Sequence, residues 1–200
     1  MQMGNRKTRP DSFSTLIADT GEKALQRALI MGGTSLIDGE VIEWLDIELP
    51  VEFSESARRR CFDLIGRTSS NKFIICELKY SRGTNNENES LKRAYEDELM
   101  VYKSLIEENY AELDINKVHH TNGKDFSWSD VAKNAQYIIA ANKEYWEYHL
   151  KQKDNQLPPE DISCYSIDVD IEYFKRQKGV NKQYMPNIPS DCIWERLGTI

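Results

Sequence analysis

Three charged residues, Asp63, Glu77 and Lys79, stand inside the otherwise apolar runs of CFDLIGRTSSNKFIICELKY, residues 61–80. A charged side chain withdrawn from water costs several kcal/mol unless an opposite charge or a metal ion compensates it. Strand residues two apart point to one face, so Glu77 and Lys79 share a side. With a turn centred near Ser69 and Ser70, Asp63 falls across the ladder close to Glu77. Directly opposed Cβ atoms lie about 4.5–5.5 Å apart, so two carboxylates would meet there. A divalent cation relieves their repulsion. Mg²⁺, or Mn²⁺ in its place, takes oxygen ligands, often one or two carboxylates with water and phosphate completing the shell. Such an ion activates a water and neutralises charge on a phosphate, while Lys79 orients the water or balances developing charge. This is a set of parts for metal-dependent phosphodiester hydrolysis. Alternatively, the three residues form an ion network that satisfies itself, although one Lys between two carboxylates leaves a surplus negative charge.

The elements that must hold these residues can be read from the patterning. DTGEKALQRALIM predicts a first helix over about 19–31, stopped by Gly32 and Gly33, with Asp19 and Glu22 at capping-box spacing. Glu22 also shares a helical face with Leu25 and Leu29, so it either caps the helix or leans toward the core. EVIEWLDIELP predicts a strand ended by Pro50, where Asp46 or Glu48 either adds an outer carboxylate or is one of the acidic residues common at strand edges. Residues 59–66 and 72–80 predict a β-hairpin around the turn residues RTSSN. After the polar loop SRGTNNENES, a helix is expected over about 89–108, where Leu91, Ala94, Tyr95, Leu99, Tyr102, Leu105 and Ile106 recur at helical period. A short helix at SWSDVAKN, a strand at AQYIIAA, a helix at NKEYWEYHLKQK, a strand at ISCYSIDVD and a closing helix at IEYFKRQKG complete the order. The expected class is α/β, in the α+β mixed sense, with helices on the faces of a mixed sheet.

Asp63 followed by Glu77-Leu78-Lys79 resembles the motif of the PD-(D/E)XK nuclease superfamily, and the element order from about 20 to 141 is similar to that superfamily's core. The resemblance implies a restriction-endonuclease-like fold: a central mixed β-sheet with an antiparallel meander, flanked by helices. It further implies a Mg²⁺- or Mn²⁺-dependent endo- or exonuclease acting on nucleic acid, with DNA the expected substrate. Asp63, Glu77, Lys79 and Glu22 would be catalytic. Asp63, Glu77, the Leu78 carbonyl and Glu22 would hold the metal. Glu98 and Tyr102 match a Gln and a Tyr that many members carry on the helix after the meander. Phe62 stands where the motif has Pro, and Glu98 where Gln is more usual.

Partners and compartment follow from composition. The net charge of −7 does not mark a nucleic-acid binder, but a local basic patch outweighs the sum. Arg59 and Arg60, next to Arg58, adjoin the charged hairpin, and Arg67, Lys72 and Arg82 extend them as phosphate contacts. The same residues are equally consistent with a solvated strand end. His119 and His120 fit a polar surface, and Tyr145, Trp146 and Tyr148 fit packing, with base stacking as the alternative. Cys61, Cys76, Cys164 and Cys192 form no CxxC pair and no zinc spacing, so they are expected as reduced structural thiols. No secretory signal or membrane span is expected, which makes the chain a cytoplasmic protein without a membrane partner. A single nuclease-like domain is expected over 1–200, with its core at about 20–141 and a strand and helix extension at 142–200. Double-strand cleavage would suit a homodimer. The alternative function is a nuclease-fold module that no longer cleaves and binds DNA or a protein partner.

Overall fold

A computed structural model of the protein describes residues 22–50, 61–81, 91–115, 126–151, 158, 161–168 and 193–197. Helix α1 is Glu22–Gly32, and it ends where Gly33 takes a φ of 77°, the left-handed stop that glycine accepts without strain. Strand β1, Thr34–Ile37, then turns at Asp38 and Gly39, both at positive φ, into β2, Glu40–Pro50. Two residues with positive φ make the tight hairpin turn whose twist matches that of the strands. β3, Cys61–Thr68, and β4, Phe73–Lys79, form the expected hairpin, in register from Arg67↔Phe73 to Leu64↔Cys76. Asn71, at a φ of 64°, closes its turn.

The next helix, α2, is one continuous run in three parts: Leu91–Arg93, a π-helical turn Ala94–Leu99, and Met100–Ile115. Its buried positions explain the π turn. Leu91, Ala94, Leu99, Tyr102 and Ile106 face inward, and the five-residue step from Ala94 to Leu99 is one longer than an α turn supplies. Helix α3, Trp128–Asn134, is capped by the Ser127 hydroxyl, which accepts from the Ser129 N–H at 3.2 Å. Strand β5 is Ala135–Asn142, helix α4 is Lys143–Leu150, β6 is Ile162–Asp168 and β7 is Ile193–Arg196.

The sheet corrects the expected fold class. The seven strands run β1-β2-β3-β4-β5-β6-β7 and close into a mixed barrel, so there is no open restriction-endonuclease-like sheet flanked by helices. The meander β2-β3-β4 is antiparallel, β5 and β6 are added in parallel, and β7 returns antiparallel to β6. Closure comes from β7 meeting β1 in parallel at Leu36↔Ile193. Both strands at this seam have four residues, too few for alternation to stand out in the sequence.

Two apolar clusters fill the two sides of the ring. Leu25 and Leu29 of α1 join residues from all seven strands, including Trp44, Leu64, Cys76, Leu78, Ile138, Tyr165 and Trp194. Only the inner side can be shared by every strand. Trp44 stacks on Trp194 across the seam at 5.8 Å between ring centroids. The other cluster joins β2–β6 to α2, α3 and α4 through Phe62, Ile65, Ile75, Leu99, Trp128 and Trp146. β4 therefore has helices or ring interior on both faces, and every one of its residues is buried. Among the described residues, no helix is long and apolar enough to cross a membrane.

Candidate active site

β3 and β4 are the strands that bear the charged residues, and their last paired step is Leu64↔Cys76. One step further, Asp63 comes opposite Glu77, as the turn position predicts. There the Asp63 side chain takes over from the ladder: the Leu78 N–H donates to its Oδ2 at 2.7 Å. In an antiparallel ladder a residue's N–H and C=O face the same neighbour. The Leu78 carbonyl therefore lies on the Asp63 side of β4.

Glu77 and Lys79 point to the same side as Phe73 and Ile75, toward α2, and each is 4% exposed. Lys79 Nζ donates to Glu77 Oε1 at 2.9 Å and forms an ion pair with Glu98 Oε2, also at 2.9 Å. Glu98 reaches this position from the last part of the π turn, and one helical turn later Tyr102 follows it. Arg93, on the exposed side of α2, lies 4.0 Å from Glu98 Oε1. Glu98 thus stands between a buried cation and one at the surface.

The electrostatics follow from an excess of acid. Burial disfavours the Lys79 charge, but Glu77, Glu22 and Glu98 outweigh it and hold the ammonium protonated far above its usual range. Burial lifts the Glu77 carboxyl well above the usual carboxylate range; Asp63 and Glu98 add to this, and Lys79 only partly opposes it. Tyr102 is also pushed up, first by burial and then by Glu77, Glu98 and Asp63, which keeps its phenol neutral.

These residues fit a hard divalent cation in one respect above all. Glu77 Oε2 is buried and has no hydrogen-bond partner among the described residues, an exception to the rule that buried polar atoms are satisfied. Asp63, Glu77 and the Leu78 carbonyl make the small all-oxygen donor set that Mg²⁺ uses when it keeps several waters. No group of three His, Cys, Asp or Glu side chains among the described residues is arranged around one point.

Asp63, Glu77, Leu78, Lys79, Glu98 and Tyr102 come together here, and the charge of Glu22 acts on Lys79 from α1. Arg67 does not join them. It sits at the turn end of β3, where its Nη2 pairs with Glu43 Oε2 at 3.3 Å. Lys72 belongs to the same turn. Asp46 is buried on β2, where its Oδ1 accepts the Ile47 N–H at 2.8 Å beside a bulge between Trp44 and Asp46. Arg58, Arg59, Arg60, Arg82, His119, His120, Cys192 and the expected helix at IEYFKRQKG lie outside the described residues.

Two residues of the site escaped the sequence reading. Gln26 is 2% exposed, and its Nε2 donates to the Asp63 carbonyl oxygen at 2.7 Å. Its spacing was the available signal, since positions 22, 25, 26 and 29 share one face of a helix. Asn142, at the end of β5, accepts the Ser81 N–H at 2.8 Å and donates to the Ser81 carbonyl at 2.6 Å. It fixes the chain two residues after Lys79, a tertiary contact with no local signature. No family model, curated protein or solved structure matches the chain.

Proposed function

We propose that the protein is a Mg²⁺- or Mn²⁺-dependent nuclease that hydrolyses phosphodiester bonds of nucleic acid, with DNA as the expected substrate. The observation that carries this is the orphaned, buried Oε2 of Glu77, beside Asp63 and a lysine held protonated by three acids. Asp63, Glu77 and the Leu78 carbonyl would hold the cation, and the Glu22 charge lies near enough to assist. When bound, the ion supplies an activated water and neutralises charge on the phosphate. Lys79, fixed between Glu77 and Glu98, keeps a compact positive charge beside the reacting phosphate. The neutral phenol of Tyr102 is available as a donor. Arg93 offers a phosphate contact at the rim. Likeness to the PD-(D/E)XK motif adds support at the motif residues alone, because the closed ring differs from the open sheet it implied. A cytoplasmic location and a homodimer for double-strand cleavage belong to the same proposal.

Thermal unfolding with and without Mn²⁺ tests it. At an ion concentration of about 100 Kd, mass action adds about 2.7 kcal/mol, which is roughly 5–10 °C in Tm at this chain length. The rise should be absent in Asp63→Asn, and Mg²⁺-dependent cleavage of DNA fragments should vanish with it. Cleavage at the wild-type rate by Asp63→Asn would refute the proposal. One observation favours a second reading, a non-cleaving module that binds nucleic acid or a protein: Lys79 pairs with both Glu77 and Glu98, so the buried charges partly compensate one another. That reading requires a Tm indifferent to Mn²⁺ together with retained binding.

A further inference from the structure

We propose that Gln26 is the positioning residue of this site, holding Asp63 in place to receive a divalent cation; this rests on the metal-dependent reading above. Asp63 is grasped from two elements. From α1, Gln26 Nε2 donates to its backbone carbonyl at 2.7 Å and lies 3.4 Å from Oδ1. From β4, the Leu78 N–H donates to Oδ2 at 2.7 Å. Backbone and carboxylate are thereby fixed together, each carboxylate oxygen with a donor of its own.

The residue type matters as much as the contact. A Lys at position 26 would pair with Asp63 and cancel the charge that a cation needs. A Glu would bring no donor and would repel the carboxylate. A carboxamide orients Asp63 and leaves its charge intact. The stem of Gln26 stands beside Leu25 and Leu29, which are buried in the ring interior, so the amide has a rigid base. α1 thus delivers a neutral donor to Asp63 and, one turn earlier, the Glu22 charge that acts on Lys79. Groups that orient metal ligands in this way are worth about 10- to 100-fold in metal affinity.

The test is calorimetric titration of the full chain with Mn²⁺ alone, on wild type, Gln26→Met and Leu29→Ala, at a temperature where all three are folded. Gln26→Met keeps the volume and loses the donor. Leu29→Ala loosens the same helix without touching Asp63. The expected result is a wild-type isotherm, a loss of about 10- to 100-fold in Gln26→Met, and less than about threefold in Leu29→Ala. A wild type that takes up no Mn²⁺ overturns the metal-dependent reading, and this inference with it. Wild-type binding matched by Gln26→Met overturns the inference alone, and so does an equal loss in Leu29→Ala. Should Gln26→Met not fold, the side-chain amide of Gln26 is followed by NMR in wild type during a Mg²⁺ titration. A shift that saturates with binding supports the positioning role, and an unmoved resonance during binding overturns it.

Discussion

Replacing Lys79 with Met tests the desolvation of the charged cluster most directly. Lys79 Nζ lies 2.9 Å from both Glu77 Oε1 and Glu98 Oε2, and the lysine and Glu77 side chains are 5% and 6% exposed. Removing the ammonium leaves Glu77 and Glu98 without the buried cation they share. Breaking one partner out of a buried ion pair costs about 3–5 kcal/mol, against about 0–1 kcal/mol for an exposed pair. With a urea m-value of about 2 kcal/mol/M, a loss of about 4 kcal/mol moves the unfolding midpoint by about 2 M. The assay is equilibrium urea unfolding of metal-free protein at pH 7.5. A companion variant sharpens it. Glu77→Gln together with Lys79→Met removes the stranded charge as well, so the double variant should recover a large part of the loss. A loss below about 1 kcal/mol in Lys79→Met, or a double variant no more stable than the single, would show that the cluster is solvated. Its carboxylates would then have no need of a metal ion to offset burial.

Further outcomes follow from the same geometry. Asn142→Ala strips both hydrogen bonds from the buried backbone of Ser81 and should cost about 2–3 kcal/mol in chemical unfolding. Gly66→Ala would set a Cβ 2.7 Å from Ile42 Cγ2 and 2.8 Å from Trp44 Cε3, an overpacking loss of about 1–3 kcal/mol readable as a lower midpoint. Glu77 has a folded pKa raised above its unfolded value. Its contribution is therefore fully present below the ordinary carboxylate pKa of about 4.3 and is lost as pH rises through the raised value. Metal-free wild type should accordingly lose stability over that window more steeply than Glu77→Gln, as pH-dependent urea titrations would register.

Much of the site was legible because it is local in sequence. The polar turn set the hairpin register, the period-2 rule put Glu77 and Lys79 on one side, and the apolar flanks announced their burial. Tyr102 was legible through the 3.6-residue period and Glu98 only through likeness to the nuclease motif, but the π turn that brings Glu98 to Lys79 was not legible at all. That turn answers a packing demand, the five-residue step from Ala94 to Leu99, visible only when the opposing sheet is present. The place of Arg67 was not legible, because a cation near an acidic strand suits a phosphate as well as a neighbour, and Glu43 on β2 is a neighbour it pairs with. The ring was missed for two reasons. Asp38-Gly39 between TSLI and EVI is a hairpin signal that the sequence did contain. IWER, by contrast, buries only Trp194 among its four residues, and so carries almost no periodicity.

The closure at Leu36↔Ile193 has a consequence for how the chain reaches its native state. The meander β2-β3-β4 pairs neighbours in sequence and can form early. The seam joins residues near opposite ends of the chain, and contacts of such long separation are entropically expensive to reach. Residues of the charged cluster on β3, β4 and α2 therefore do not need the seam in order to meet. A chain interrupted before β7 would lose its circular continuity and the Trp44–Trp194 stack, yet keep the strands that carry Asp63, Glu77 and Lys79. Assembly of the charged cluster does not depend on ring closure, and hydrogen exchange should find β1 and β7 opening at lower free energy than β3 and β4.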